Sequence, residues 1–341
     1  MTAAQDVSTH RLSDQSGNPL RLLMVHAHPD DETTTTGATA ALYAAENVGV
    51  HLLTCTRGER GEILDEEILG AVGGAEDAAE ALGEVRALEL AAAAKALDID
   101  GFRFLGGPGR WWDSGMAGTD SNTDPRSLVA ADRSEQVAEL VAVIRELRPQ
   151  VLVTYDENGG YGHPDHIRAY ELSMAAVELA ADPDAPDSWT VAKVYGAVVP
   201  HSIVRGVARG LGSGSADNPF AALAKALEDG VPEEQIEMPF GVPDHLVAAR
   251  IEARDWLPAK TAAMRAHRSQ MAENGWFFML AEGSGGGFGV EHFQLLSGAR
   301  GPVLDDGLEA DLFAGLRAAE DSSCEQDCER VPQESATKTV F

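Results

Sequence analysis

The sequence predicts an α/β protein with a Rossmann-like, mostly parallel sheet, helices on both faces of it, and a smaller irregular C-terminal part. Apolar segments of strand length alternate with segments of helical pattern over residues 20–199. These strands are mainly apolar, which is typical of parallel strands covered on both sides. Polar or glycine-rich loops follow four of them, and ligands of such folds bind at the carboxyl ends of the strands.

The predicted strands, in chain order, are 20–25, 49–56, 101–105, 150–155, 189–199 and a late strand at 291–296. The predicted helices are 33–46, 75–98, 134–147, 165–181 and 246–271. Two loops, 57–74 and 106–132, are longer than plain connections require, so we expect them to build a site.

Four regions follow from this pattern. Residues 1–19 are polar and predicted to be a disordered tail. Residues 20–200 form the Rossmann-like core. Residues 201–318 form a cap or insertion and a C-terminal part that completes the site. Residues 319–341 are predicted to be a disordered acidic tail, which contains two of the three cysteines, Cys324 and Cys328.

The composition excludes several kinds of partner. The formal net charge of −29 disfavours nucleic acid and anionic membranes, because both would be repelled. No apolar run approaches the roughly 20 residues that span a bilayer, and no signal segment is evident. The three cysteines lack the second pair that a zinc knuckle needs. We therefore predict a cytoplasmic protein with a small-molecule partner and leave the oligomeric state open.

Two of the loops have the composition of a metal site. In "HAHPDDE", His28 and Asp31 are three residues apart around a proline, and His163 and His166 repeat this spacing in "YGHPDH". Two imidazoles and a carboxylate are a typical ligand set for catalytic zinc, with water in the fourth position. Either loop alone could be an ordinary helix N-terminus. Two such loops at the same edge of the sheet favour a metal site over two ordinary helix N-termini.

Two other enzyme classes lack their motifs in this sequence. A dinucleotide-binding protein needs Gly-x-Gly-x-x-Gly after the first strand, where this chain has "HPDDE". A serine hydrolase of the α/β type needs Gly-x-Ser-x-Gly at a strand end, and the sequence has none.

The pair "HPDDE" and "GHPDH" resembles the LmbE-like (PIG-L) family of zinc-dependent N-acetylglucosamine deacetylases. The similarity extends in order over roughly residues 20–300, through "TCTRGERGE", "RALEL", "GRWWDSGMAGTD", "VTYDENGGYGHPDH", "KTAAMRAHRSQ" and "EHF". The "GRWWDSGMAGTD" loop resembles the branch that removes acetate from N-acetylglucosaminyl-inositol in mycothiol biosynthesis. The alternatives are the mycothiol S-conjugate amidases, another N-acetylglucosamine deacetylase, and an inactive sugar-binding protein. The presence of Asp30 disfavours the last of these.

The resemblance also implies roles for individual residues. It implies one Zn²⁺ per chain, with Fe²⁺ as an alternative. The implied metal ligands are His28, Asp31 and His166. His26 is then expected to be a packed residue at the strand end and not a ligand.

The implied catalytic groups surround the same position. Asp30 resembles the general base, which takes a proton from water and passes it to the departing amine. Tyr161 and His163 resemble the groups that stabilise the oxyanion, and Asp165 is expected to orient His163 and keep it charged.

The implied substrate contacts are Arg86, Asp113 and Glu62. Asp113 is expected to read inositol hydroxyls, with the neighbouring tryptophans Trp111 and Trp112 against the apolar face of the sugar. The C-terminal part offers His267 and His292 as further candidates.

Overall fold

A computed structural model describes residues 11–213, 220–283 and 285–318. Its centre is a seven-stranded sheet with the order β3-β2-β1-β4-β5-β7-β6. The strands are β1 Arg21–His26, β2 Gly49–Thr54, β3 Gly101–Phe104, β4 Val151–Tyr155, β5 Lys193–Val198, β6 Ala249–Glu252 and β7 Val290–Gly298.

Strands β1 to β5 are parallel, whereas β7 runs antiparallel to β5 and β6 runs antiparallel to β7. The strand order reverses between β1 and β4, since β2 lies on one side of β1 and β4 on the other. Loops at such a reversal point leave the sheet in opposite directions and open a crevice between them. The two His-Pro-Asp loops follow these two strands.

Ten helices lie in the described residues: α1 Asp31–Ala45, α2 Glu66–Val72, α3 Ala78–Ala96, α4 Arg133–Leu147, α5 Gly159–Gly162, α6 Pro164–Ala180, α7 His201–Leu211, α8 Ala221–Glu228, α9 Leu257–Ala266 and α10 Trp276–Gly283. Side chains of α1 and α3 pack on one face of the sheet, against Leu22 and Met24 of β1. Side chains of α4 and α6 pack on the other face, against Leu23 and Val25. None of the helices in these ranges is long and apolar enough to cross a membrane.

The predicted fold class is confirmed, and the differences lie mainly at the edges. The predicted helix 246–271 begins instead with strand β6, because Ala249 and Ile251 are buried while Arg250 and Glu252 point outward. That alternation has the period of a strand at a sheet edge. The loop 57–74 contains α2, and the irregular stretch 201–245 contains α7 and α8.

Residues 11–19 are not a free tail, contrary to the prediction. Ser13 forms a β-bridge with Pro19, Asp14 forms one with Arg317, and Leu12 packs against the core. Residues 1–10 and the acidic segment 319–341, with Cys324 and Cys328, lie outside the described residues. The division at residue 200 stays a prediction, although β7 and β6 extend the same sheet.

Candidate active site

The turn between β1 and α1 separates two adjacent carboxylates. Asp30 is the N-cap residue of α1 and has φ 114° and ψ −28°, in the left-handed region that residues other than glycine seldom adopt. Asp31, the first helical residue, turns its carboxylate back to accept from the backbone N–H of His28 at 2.9 Å. The Asp30 carboxylate instead faces Arg86, with 3.2 Å between Oδ2 and Nη2.

The three predicted metal ligands are close together. Asp31 Oδ2 lies 3.5 Å from His28 Nδ1, and Asp31 Oδ1 lies 3.5 Å from His166 Nε2. His166 Nε2 is buried and has no hydrogen-bond partner in the described part of the chain. Burial lowers the pKa of His166 to about 3 despite the nearby Asp31. Its imidazole is therefore neutral and offers a free lone pair, which a metal ligand requires.

Other ligand combinations share His28. Its ring nitrogens lie within 4.8 Å of ligand atoms from His163 and His166, and also from Asp113 and Asp165. Burial alone would lower the pKa of His28, but the neighbouring carboxylates, Asp113 first among them, raise it well above the usual value. The surroundings of His28 therefore favour a positive charge.

The carboxylate of Asp165 contacts His28 and not His163, which differs from the predicted contact. Its Oδ2 lies 3.2 Å from His28 Nε2 and accepts from the backbone N–H of Ser114 at 2.8 Å. Only the backbone N–H of Asp165 reaches His163, donating to Nδ1 at 3.2 Å. Burial and the nearby His28 lower the pKa of His163, whereas Asp165 raises it.

The other two catalytic candidates also lie beside the cluster. Burial raises the pKa of Asp30 to about 6, although the positive charge of Arg86 lowers it. The ring of Tyr161 lies 5.0 Å from the His166 ring and is 54% exposed. The glycines on either side of Tyr161, Gly160 and Gly162, have positive φ values of 75° and 88°. Glycine adopts this conformation without steric cost, so the backbone can turn at Tyr161.

The predicted substrate contacts are placed differently from expectation. Arg86 is buried, and its guanidinium donates to Gly58 O at 2.8 Å and Pro29 O at 2.6 Å, so it supports the turn. Asp113 is buried in the cluster, with Oδ1 3.6 Å from His28 Nε2. Glu62 is exposed, and within the described residues no hydrogen bond links its carboxylate to the site.

The tryptophans beside Asp113 are also not a sugar platform. Trp111 is 4% exposed and packs in the core cluster beneath α4, while Trp112 is 6% exposed with Arg126 stacked 3.9 Å above its ring. His26 is fully buried and pairs with Thr36 at 3.0 Å, as expected of a packed residue.

Sequence reasoning missed three supporting side chains. The Tyr155 hydroxyl, at the end of β4, donates to Asp31 Oδ2 at 2.7 Å. Glu59 Oε2 accepts from the backbone N–H of Asp113 at 3.0 Å. Glu32, the last letter of "HPDDE", pairs with His267 at 2.7 Å. The sequence offered one indication for Tyr155, because this residue ends β4, next to β1, where the strand order reverses.

A cavity of about 1140 Å³ opens from this cluster. Asp30, Asp31, Tyr161 and His166 contribute to its wall, together with His292 from β7. Apolar side chains of α7 and α10 line the same cavity: Ile203, Val204, Val207, Trp276, Phe277 and Leu280. The cavity therefore combines a polar reactive region with a large apolar surface.

Residues 23–177 match the model of the PIG-L family, described as GlcNAc-PI de-N-acetylase. The chain is 66% identical to 1D-myo-inositol 2-acetamido-2-deoxy-alpha-D-glucopyranoside deacetylase 3 of Catenulispora acidiphila, covering 96% of each chain. It is 50% identical to the deacetylase of the same name from Geodermatophilus obscurus, over 87% of this chain and 98% of that one.

Solved structures with the same fold are more distant. The 4-carboxy-2-hydroxymuconate hydratase GalB from Pseudomonas putida has a TM-score of 0.54 and 18% identity, covering 84% of this chain and 99% of that one. The N,N'-diacetylchitobiose deacetylase from Pyrococcus horikoshii has a TM-score of 0.50 and 18% identity, covering 81% and 83%. At these identities the likeness shows the fold alone.

The fold, the paired His-Pro-Asp loops and the family match together define a deacetylase of the PIG-L class. The chain belongs to the family of 1D-myo-inositol 2-acetamido-2-deoxy-alpha-D-glucopyranoside deacetylases. The predicted LmbE-like family and the predicted enzyme class, an amide hydrolase of N-acetyl sugars, are confirmed by this membership.

Proposed function

We propose that this protein is a zinc-dependent hydrolase of the acetamide in 1D-myo-inositol 2-acetamido-2-deoxy-α-D-glucopyranoside. The products are acetate and glucosaminyl-inositol, a step of mycothiol biosynthesis. The identity of 66% over 96% of both chains, with a relative named for that substrate, carries the assignment. The proposal includes a cytoplasmic location and, in keeping with the charge of −29, a small-molecule partner.

The residues fit one divalent metal ion per chain, held by His28, Asp31 and His166. The unpartnered, buried Nε2 of His166 beside Asp31 Oδ1 supports this set, because a buried polar atom without a partner is otherwise costly. Two histidines and one carboxylate suit Zn²⁺, and they also suit Fe²⁺. A bound zinc ion would polarise the amide carbonyl and lower the pKa of its water.

The protein's own groups then divide the proton transfers. Asp30 accepts a proton from the attacking water and returns it to the amine as the carbon–nitrogen bond breaks. His163 accepts the Asp165 N–H at Nδ1, so its proton is on Nε2, where it can donate to the developing oxyanion. The Tyr161 hydroxyl is a second donor at the cavity wall. Asp165 holds the ring of His28 through Nε2.

A second candidate is hydrolysis of the amide in mycothiol S-conjugates. The apolar side chains of α7 and α10 in the cavity favour it, because such conjugates carry a bulky apolar group on sulfur. This reaction would use the same metal ligands and the same base.

Acetate release from the N-acetylglucosaminyl-inositol substrate, compared with hydrolysis of a bimane-labelled mycothiol conjugate, separates the two candidates. A higher kcat/KM for the first substrate supports the deacetylase, and a higher value for the conjugate supports the amidase. Enzyme treated with a chelator and then with one equivalent of Zn²⁺ or Fe²⁺ tests the metal. Undiminished activity in the chelated enzyme would refute metal dependence.

A further inference from the structure

The peptide group between Pro29 and Asp30 is fixed by two charged side chains. Its carbonyl accepts from Arg86 Nη2 at 2.6 Å, and its N–H donates to Glu32 Oε2 at 2.9 Å. The direction of this peptide plane sets the left-handed φ of Asp30. A non-glycine residue keeps such a conformation only where its surroundings determine it strongly. Glu32 and Arg86 are the surroundings that do so here.

Glu32 is in turn anchored by a residue far along the chain. Its Oε1 pairs with His267 Nε2 at 2.7 Å, across 235 residues, and also accepts from Thr33 Oγ1 at 2.6 Å. The side chains of Glu32 and His267 are both fully buried. His267 directly follows α9, which packs on α1 and α3. The C-terminal part of the chain therefore reaches the active-site turn through this contact.

We propose that Glu32 and His267 are positioning residues for Asp30: His267 holds Glu32, and Glu32 holds the backbone that aims the Asp30 carboxylate. This inference rests on the proposed role of Asp30 as the general base. Neither side chain needs to contact the substrate to act in this way. Without the Glu32 acceptor, the Asp30 N–H loses its partner and φ can return to a common value, which moves the carboxylate.

The central test compares Glu32→Met with Glu32→Gln. The methionine has a similar length but cannot accept the Asp30 N–H, so kcat should fall by about 10- to 100-fold, as expected for a misplaced catalytic group. KM and the zinc content should remain near those of the wild type. The glutamine can still accept that N–H and should keep most of the activity. A crystal structure of Glu32→Met should show Asp30 outside the left-handed region.

The effect must also depend on Asp30. In an Asp30→Asn background, Glu32→Met should cause no further loss of kcat, because the base that Glu32 positions is already absent. Glu309→Gln is the matched control, since Glu309 is another fully buried glutamate, paired with Lys193 and remote from the turn. That variant should keep its kcat even if its stability falls.

His267 is tested through Glu32. His267→Gln can place an amide nitrogen near the position of Nε2 and should keep activity, whereas His267→Leu should lose it. Because His267→Leu leaves a buried carboxylate unpaired and can fail to fold, the double variant Glu32→Met/His267→Leu removes that charge. It should show the same kcat as Glu32→Met alone.

A wild-type kcat in zinc-loaded Glu32→Met would overturn the inference. An equal loss of kcat in Glu309→Gln would also overturn it, as would a further loss of kcat when Glu32→Met is added to Asp30→Asn. Failure of the proposed function would look different, because the wild type itself would then release no acetate, and failure of the proposed role of Asp30 would show as full activity in Asp30→Asn. If Asp30→Asn is inactive and Glu32→Met is fully active, only the positioning role is refuted.

Discussion

Tyr155 and Asp31 are joined by a hydrogen bond of 2.7 Å from the phenol to Oδ2, and the same phenol oxygen accepts the N–H of Ala27 at 2.8 Å. The Tyr155 ring also stacks on that of His166, with 4.2 Å between centroids. One buried side chain at the end of β4 thus contacts two proposed metal ligands and the turn that follows β1.

Tyr155→Phe should weaken zinc binding by about 10- to 100-fold, because Asp31 loses the donor that fixes its carboxylate. Competition with a chelator of known affinity measures this change. Tyr195→Phe is the control, since that buried tyrosine donates to Glu309 at 2.7 Å away from the metal ligands. Equal zinc affinities in wild type and Tyr155→Phe would contradict the expectation.

The two adjacent aspartates should fail in different ways. Asp30→Asn keeps its shape but cannot take a proton, so zinc should stay bound while kcat falls by roughly 10²–10⁴. The acidic limb of the pH–rate profile, where activity rises as the base ionises, should disappear in this variant. An Asp30→Asn protein without zinc would argue against the assignment.

Asp31→Asn removes an anionic ligand, so zinc affinity itself should fall and excess zinc should restore part of the activity. Elemental analysis of zinc per chain, at several zinc concentrations, checks this. His166→Ala should likewise lose near-stoichiometric zinc. One tightly bound zinc in either variant would show that the ligand set is wrong.

Asp113→Asn should reduce turnover of the inositol-linked substrate and of plain N-acetylglucosamine by similar factors. Asp113 Oδ1 lies 3.6 Å from Nε2 of the proposed metal ligand His28, so its loss should disturb the reaction and not only the recognition of inositol. Glu62→Ala should change neither rate by more than about twofold, because its carboxylate is exposed to solvent. If Asp113→Asn lost turnover only on the inositol-linked substrate, the predicted contact of Asp113 with the inositol hydroxyls would be supported.

Glu309→Ala should lower the free energy of unfolding by about 3–5 kcal/mol, since it leaves the buried ammonium of Lys193 unpaired. Glu309 Oε1 accepts from that ammonium at 2.6 Å, and Oε2 accepts from the Tyr195 hydroxyl. Chemical denaturation measures the change. Glu146→Ala is the control, because Glu146 forms an ion pair at the exposed surface. A loss below about 1 kcal/mol would show that solvent reaches Lys193 after the substitution.

Most of the parallel sheet and the ligand loops could be predicted, because buried strands and His-Pro-Asp turns are local patterns in the sequence. Strand β6 was missed because its alternation lasts only four residues and its partner, β7, comes 38 positions later. The side-chain contact of Asp165 was predicted to be with His163 because the two residues are close in sequence, and only the direction of the carboxylate shows that it contacts His28. Arg86 was predicted at the substrate because a sequence does not reveal that its guanidinium turns inward.

Two of the three proposed metal ligands lie at the amino ends of two long helices. Asp31 opens α1, which has 15 residues, and His166 lies in the first turn of α6, which has 17. The peptide dipoles of both helices thus place partial positive charge where Asp30, Asp31 and Asp165 are crowded. These macrodipoles offset part of the repulsion among the carboxylates without any metal. We therefore expect removal of the metal to abolish chemistry while leaving the fold intact.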